Sequence, residues 1–222
     1  MSEADRTYIP AAGHDWLLPF YDPLVKLMGG GSAHRQLIDQ AHLQPGQRIL
    51  EIGCGTGTLT ILVKTLHPAV EIVGLDPDPK ALDRARRKAD RQQVSLRLDR
   101  GFSDELPYPD GSYDRVLSAF MFHHLKRDEK EQSLHEIRRV LRPGGSLHLL
   151  DFRGAHDRSH GFLAHLFHRS EHVRDNSGDT ILALMRQAGL DDRTEVAHQR
   201  TIFGRISYYH ASQPRRSGMG AV

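Results

Sequence analysis

The stretch Arg48-Ile49-Leu50-Glu51-Ile52-Gly53-Cys54-Gly55-Thr56-Gly57-Thr58-Leu59 restricts the fold more than any other part of the chain. Ile49, Leu50 and Ile52 form the short apolar run that a buried parallel strand carries. Glycines at 53, 55 and 57 interrupt it, and Leu59 to Leu66 resumes with helical spacing. The order is strand, tight glycine turn, helix. Such a turn lets backbone approach a ligand that any Cβ would push away, and it aims the helix's free N–H groups at that ligand. In an open α/β sheet, ligands bind in this crevice, at the carboxyl ends of the strands. The alternative is a turn with a purely structural role.

The spacing narrows the choice. A dinucleotide fingerprint, G-x-G-x-x-G, needs glycine where Thr58 stands. Here the pattern is Glu51-x-Gly53-x-Gly55-x-Gly57, with an acidic residue ahead of the glycines. In this form the segment resembles the first motif of the class I S-adenosylmethionine (SAM)-dependent methyltransferases.

The 222 residues suit one sizeable α/β domain and are too few for two ordinary ones. A formal charge of only +2 gives no global field directed at nucleic acid or anionic membrane. Cys54 is the only cysteine, so no intramolecular disulfide can form, and a reducing compartment is expected. No secretory signal is visible, and no apolar run approaches the roughly 20 residues that span a bilayer. A cytoplasmic protein is the expectation.

Residues 1–44 read as an N-terminal helical cap. It begins with a polar lead-in and continues in short apolar helices interrupted by Pro19 and Pro23. After Gly29-Gly30-Gly31, Ser32 suits an N-cap for a helix ending near Leu43. Pro45-Gly46 then delivers the chain to the first strand. Val70 to Leu75 is a second strand ending on Asp76-Pro77-Asp78. Asp76 lies 19 residues past Gly57, where a doubly wound fold places an acid on a ribose diol. An N-cap for the following helix is the other reading, a role Asp78 also fits. Residues 79–91 form a helix rich in arginine, which reads as a solvated outer face because Asp83 and Asp90 temper its charge. Val94 to Leu98 alternates as a third strand, and Val116 to Phe120 opens a fourth after a segment of turn residues.

A second block strengthens the resemblance. Many small-molecule enzymes of the class carry Gly-Asp-Ala-x-x-Leu-Pro, then an aromatic-Asp pair. Here Gly101, Leu106, Pro107, Tyr113 and Asp114 match. The family's acidic residue, which often faces the adenine amino group, falls on Phe102. A helix over 128–141 ends in Leu141-Arg142-Pro143-Gly144-Gly145, a further family feature, ahead of a fifth strand, Ser146 to Phe152. Asp179 can cap a helix closed by Gly189. Runs near Thr194–Arg200 and Ile202–Ala211 are spaced to pair as an antiparallel hairpin. The fold class is therefore α/β: a Rossmann-like, seven-stranded, mostly parallel sheet with helices on both faces and a C-terminal antiparallel hairpin. The methyltransferase domain spans 45–212, with 153–178 as a substrate-lid insertion and 213–222 as a disordered tail.

The resemblance implies SAM as methyl donor and S-adenosylhomocysteine as product. It places Glu51, Gly53, Cys54, Gly55 and Gly57 on the methionine part, Asp76 on the ribose and Pro77 near the adenine. Phe102 and Ser103 complete the adenine wall, with Ser118 and Ala119 as floor. Tyr21 is a candidate for closing over the cofactor, or for core packing. His123 and His124 end the fourth strand and are the candidate general bases, since imidazole titrates near neutral pH. Packing against the crevice wall is their alternative role. His156, His160, His165, His168 and His172 cluster in the insertion, but no cysteine or carboxylate set completes a metal site there, and no metal is expected.

The motifs most resemble the branch holding the ubiquinone/menaquinone-biosynthesis C-methyltransferases and other small-molecule enzymes. The implied acceptor is a small aromatic or lipid-like metabolite. A nucleic-acid partner is disfavoured by the absence of an Asn-Pro-Pro-Tyr-type motif for flipped bases. An RNA or protein methyltransferase on this fold, or a non-catalytic SAM-binding protein, are the alternatives. The oligomeric state is open, a homodimer included.

Overall fold

The computed structural model describes residues 30–153, 178–201 and 204–215. Tyr21, the histidine cluster at 156–172 and nearly all of the expected lid lie outside the described residues. The first element is α1 (Gly30–Ala41), followed by β1 (Arg48–Ile52), α2 (Thr58–Leu66), β2 (Glu71–Asp76) and α3 (Pro79–Arg91). Next come β3 (Arg97–Arg100), β4 (Tyr113–Ala119), a 3-10 turn over Phe122–His124, α4 (Arg127–Val140) and β5 (Leu141–Phe152). The chain closes with α5 (Gly178–Gln187), β6 (Asp191–Thr201) and β7 (Gly204–Ser212).

The seven strands lie in the order β3-β2-β1-β4-β5-β7-β6. Strands β1 to β5 are mutually parallel, while β7 runs antiparallel between β5 and β6. The mostly parallel sheet and the C-terminal hairpin expected from the sequence are both present. Each face carries its own apolar core. One gathers Leu37 and Ile38 of α1, Leu59 and Val63 of α2, and Ile49, Leu117, Leu150 and Tyr208 of the sheet. The other gathers Leu134 and Ile137 of α4, Leu184 and Met185 of α5, and Leu50, Val116, Leu149 and Tyr209. Full burial of a leucine or isoleucine such as Leu37 or Ile38 contributes about 1.5–3 kcal/mol over exposure.

Several local expectations shift. Ser32 sits inside α1 rather than capping it, because the helix already begins at Gly30. The third strand pairs through Arg97–Arg100, later than Val94–Leu98, because Asp76 and Leu75 of β2 reach Arg100 and Asp99. The fourth strand starts at Tyr113 and ends at Ala119, so His123 and His124 belong to the following 3-10 turn. Leu141 already pairs with Tyr113, and the register slips before Ser146 pairs Arg115, so Arg142–Gly145 form a bulge inside β5 rather than a loop before it. Gln213 continues the pairing beyond β7 through hydrogen bonds with Gly144 and Gly145. The chain reverses its direction of strand addition between β1 and β4, and the crevice at that switch point opens at their carboxyl ends.

Candidate active site

The glycine turn is built as its sequence demands. Gly53, Gly55 and Gly57 all have positive φ, at 69°, 51° and 74°. Gly53 and Cys54 donate their N–H groups to Leu75 O, so β2 holds the start of the turn. Asp76, at the end of β2, completes the join. Its Oδ2 accepts the Gly55 N–H at 2.8 Å and its Oδ1 accepts the Asp78 N–H at 2.9 Å. Burial raises the Asp76 carboxyl to about 6, against the pull of those two bonds. Asp78, not Asp76, caps α3 by accepting from Lys80 N at 2.8 Å.

Glu51 is buried and accepts a short hydrogen bond from the Thr60 hydroxyl in the first turn of α2. Desolvation drives its carboxyl up to about 8, opposed by bonding to Thr60 and reinforced by nearby Asp76. Cys54 is buried, and burial raises its thiol well above the ordinary range. Lys88 of α3 reaches back to the hydroxyls of Thr56 and Thr58, at 3.2 and 2.9 Å.

Pro77 is half-buried beside Asp76, its carbonyl accepting from Arg100. Phe102 and Ser103 are half-buried past the end of β3, and the Ser103 hydroxyl shares a 2.7 Å hydrogen bond with Ser133 of α4. Ser118 is fully buried in β4, and its hydroxyl has no partner among the described residues. Half-buried Ala119 ends the strand.

Beyond Ala119 the backbone makes an unusual turn. Phe120 has φ 55°, rare for a bulky side chain, while its N–H donates to Leu150 O at 2.8 Å. The Phe120 ring lies 5.1 Å from that of Phe152 and 5.9 Å from that of His34. His123 then meets Asp151, the penultimate residue of β5. Its Nδ1 lies 2.6 Å from Asp151 Oδ1, and its backbone N–H donates to Asp151 Oδ2 at 2.7 Å. The His123 ring stands edge-on to Phe152 at 5.1 Å and 4.0 Å from the His124 ring.

The fold thus brings Glu51, the glycines, Asp76, Ser118, Ala119 and His123 to one end of the sheet. Three residues here were not anticipated from sequence: Met121, which packs against Gly53; Ser133, which holds Ser103; and Asp151. Asp151 had one signal, a carboxylate following the strand residues Leu147-His148-Leu149-Leu150.

Residues 49–145, from β1 to the bulge in β5, match a family of methyltransferase domains. The stretch is similar to class I SAM-dependent methyltransferase domains. Curated relatives with methyltransferase names are similar over the same stretch. The chain is 40% identical over 139 residues to a demethylmenaquinone methyltransferase of Deinococcus radiodurans, covering 61% of this chain and 57% of that protein. It is 38% identical over 112 residues to the 27-O-demethylrifamycin SV methyltransferase of Amycolatopsis mediterranei, covering 50% of this chain and 40% of that one. The chain therefore spans little more than half the length of the Deinococcus relative. Among solved structures, the YcgJ protein from a Bacillus shares the fold with a TM-score of 0.71 at 18% identity, over 83% of this chain and 99% of that one. The matched stretch carries Glu51, the glycine turn, Asp76, Ser118, His123 and His124. Asp151 falls just outside it.

Proposed function

We propose that the protein transfers a methyl group from SAM to a small aromatic or lipid-like acceptor. The supporting observation is the join between Asp76 and Gly55, which ties the end of β2 to the glycine turn and shapes a crevice for an adenosine with a charged tail. The residues present fit SAM. Gly53 to Gly57 offer close backbone approach and Glu51 a carboxylate for the methionine part. Asp76 still has acceptor capacity for a ribose diol, since a carboxylate oxygen accepts more than one hydrogen bond. Pro77, Phe102 and Ser103 serve the adenine, and Ser118 brings a hydroxyl without a partner among the described residues to the floor beside Ala119.

When bound, SAM supplies a methyl group on a positively charged sulfur, open to in-line displacement. The protein's task is to align the acceptor and keep water out. Phe120, Phe152 and His123 wall the approach to β4 with aromatic rings, which suits a flat apolar acceptor. The names of the relatives point the same way, toward small-molecule acceptors. This reading places the protein in the cytoplasm, in keeping with its single cysteine, and gives it no nucleic-acid partner. Among the described residues no helix is long and apolar enough to cross a membrane.

Calorimetric titration with SAM, S-adenosylhomocysteine and NAD separately tests the reading. Micromolar binding of the first two without NAD is the expected result. Binding of NAD alone, or of none of the three, overturns it.

A further inference from the structure

We propose that α1 is latched to the sheet by an uncharged His148, and that protonation of this ring releases the helix from β5 and β7 as the pH falls through the ordinary histidine range. The latch holds or fails whatever the crevice binds.

His148 is buried in β5, and both of its ring nitrogens are engaged. Gln40 Nε2 of α1 lies 3.3 Å from Nδ1, and Ser146 Oγ lies 2.9 Å from Nε2. The same Gln40 nitrogen donates to the Tyr209 carbonyl of β7 at 3.1 Å. A carbonyl oxygen only accepts, so the Gln40 atom at this point is its NH2 group, which has no lone pair to offer. His148 Nδ1 must therefore accept, and Nε2 carries the hydrogen, donating it to Ser146. One neutral tautomer satisfies the whole chain from α1 to β5. The end of α1 is tied down at the same place, where Arg115 Nε of β4 donates to Ala41 O at 3.0 Å. One turn earlier, Gln36 meets Gln199 of β6.

A second proton, on Nδ1, would set a donor against a donor. Rotating the Gln40 amide would repair that bond but turn its oxygen toward Tyr209 O. Either arrangement costs α1 one of its contacts with the sheet. The charged neighbours make matters worse. The His210 ring of β7 lies 5.1 Å from that of His148, and Arg115 and His42 add repulsion. Asp192 of β6, beside His210, gives its carboxylate to the Ser212 hydroxyl, while Arg35 and Asp39 of α1 are exposed. Burial first, then His210, Arg115 and His42, hold the ring well below the ordinary histidine value. Once α1 lifts, water reaches the ring and its value returns toward about 6.5. Opening therefore takes up a proton, so docking is strongest above about pH 6.5 and weakens below it. Glu51 and Asp76, whose carboxyls burial raises, carry the opposite sign and leave the rest of the core no weaker in acid. At its other end α1 sets His34 against Phe120, so a loosened helix also frees one support of the crevice wall.

Amide hydrogen exchange of the full chain at about pH 7.5 and about pH 5.5, corrected for the intrinsic pH dependence of exchange, reads the opening directly. Opening at the α1 amides of Leu37 to Ala41 should rise about tenfold over that interval, as one proton is taken up with a value near 6.5. Opening at the α4 amides of Leu134 to Ile137 should rise less than about threefold. Equal rises in both helices would be general loosening by acid and overturn the proposal, as would no rise in α1. His148→Gln keeps an acceptor and a donor in the side chain but cannot gain a proton. It should cut the α1 response to less than about twofold, and an undiminished response overturns the assignment to His148. If that variant fails to fold, imidazole 15N spectra of the wild type keep the test intact. At about pH 7.5 His148 should be the uncharged Nε2–H tautomer. A ring protonated at Nδ1, or already charged at that pH, overturns the latch.

Discussion

Met121 occupies the space that a Cβ on Gly53 would need: such an atom would lie 2.3 Å from Met121 Cγ and 2.7 Å from its Cβ. The turn after β4 thereby closes directly on the turn after β1. Gly53→Ala must displace Met121 and also hold alanine at φ 69°, so it should destabilise the fold by about 1–3 kcal/mol and weaken SAM binding at least tenfold. Adding Met121→Ala should recover the steric part and leave the backbone part, about 1 kcal/mol. Urea denaturation of the two single variants and the double variant measures the coupling. Strictly additive effects would mean the contact carries no energy.

Asp76 joins two buried N–H groups, and in the proposed reading it also holds the ribose, so its loss should act on stability and on SAM binding. Asp76→Ala leaves Gly55 and Asp78 without their acceptor, a cost of about 1–3 kcal/mol for each buried group left unpaired. SAM affinity measured by calorimetry should fall tenfold or more, with Asp76→Asn intermediate. An unchanged affinity in Asp76→Ala sinks the ribose assignment.

Glu51 gives the free protein a pH dependence of defined sign. Its carboxyl is raised by burial to about 8, against about 4.3 for an unfolded glutamate. The folded state therefore keeps a proton that the unfolded state releases, and this stability is fully present below about pH 4 and drains away as pH climbs toward 8. Asp76, raised to about 6, adds the same sign over the lower part of that window. Unfolding free energies from denaturant titrations between about pH 5 and 8 should fall with pH by about a few kcal/mol in the wild type. Glu51→Gln should flatten most of that slope, and an undiminished slope would place its origin elsewhere.

Arg139 of α4 fastens the loop that leads from Ser103 into β4. Its guanidinium donates to Tyr108 O at 2.7 Å and Leu106 O at 2.9 Å while pairing with Glu136 and Asp110. Glu136 in turn accepts the Leu106 N–H at 2.8 Å. A lysine cannot reproduce that fork. Arg139→Lys should cost about 1–3 kcal/mol, close to the loss in Arg139→Ala, in thermal or urea unfolding. Full rescue by lysine would show that charge alone holds the loop.

The sheet was legible because its signals are local. The apolar runs of β1 and β2, the glycine turn and the interval to Asp76 are all read within some thirty residues. Edges were less so. The expected third strand slid to Arg97–Arg100, since an outer strand paired on one side has its register set by its single neighbour β2. The candidate site was legible wherever a motif names it and dark wherever the contact is long-range. Asp151 reaches His123 across 28 positions, and Met121 meets Gly53 from another strand end. The carboxylate that His123 meets is supplied by β5, far from it in the chain, so the pairing could not be read from the order of residues.

Placing β7 between β5 and β6 has a consequence for how the protein is made. Seven residues of β5, Ser146 to Phe152, find their outer partners only in residues 206–212. A ribosome that has delivered everything through β6 has produced a sheet with a raw apolar margin at β5 and a finished strand with nowhere to dock. Until the final strand emerges, that margin is the place where a second nascent chain, or a chaperone, would find purchase.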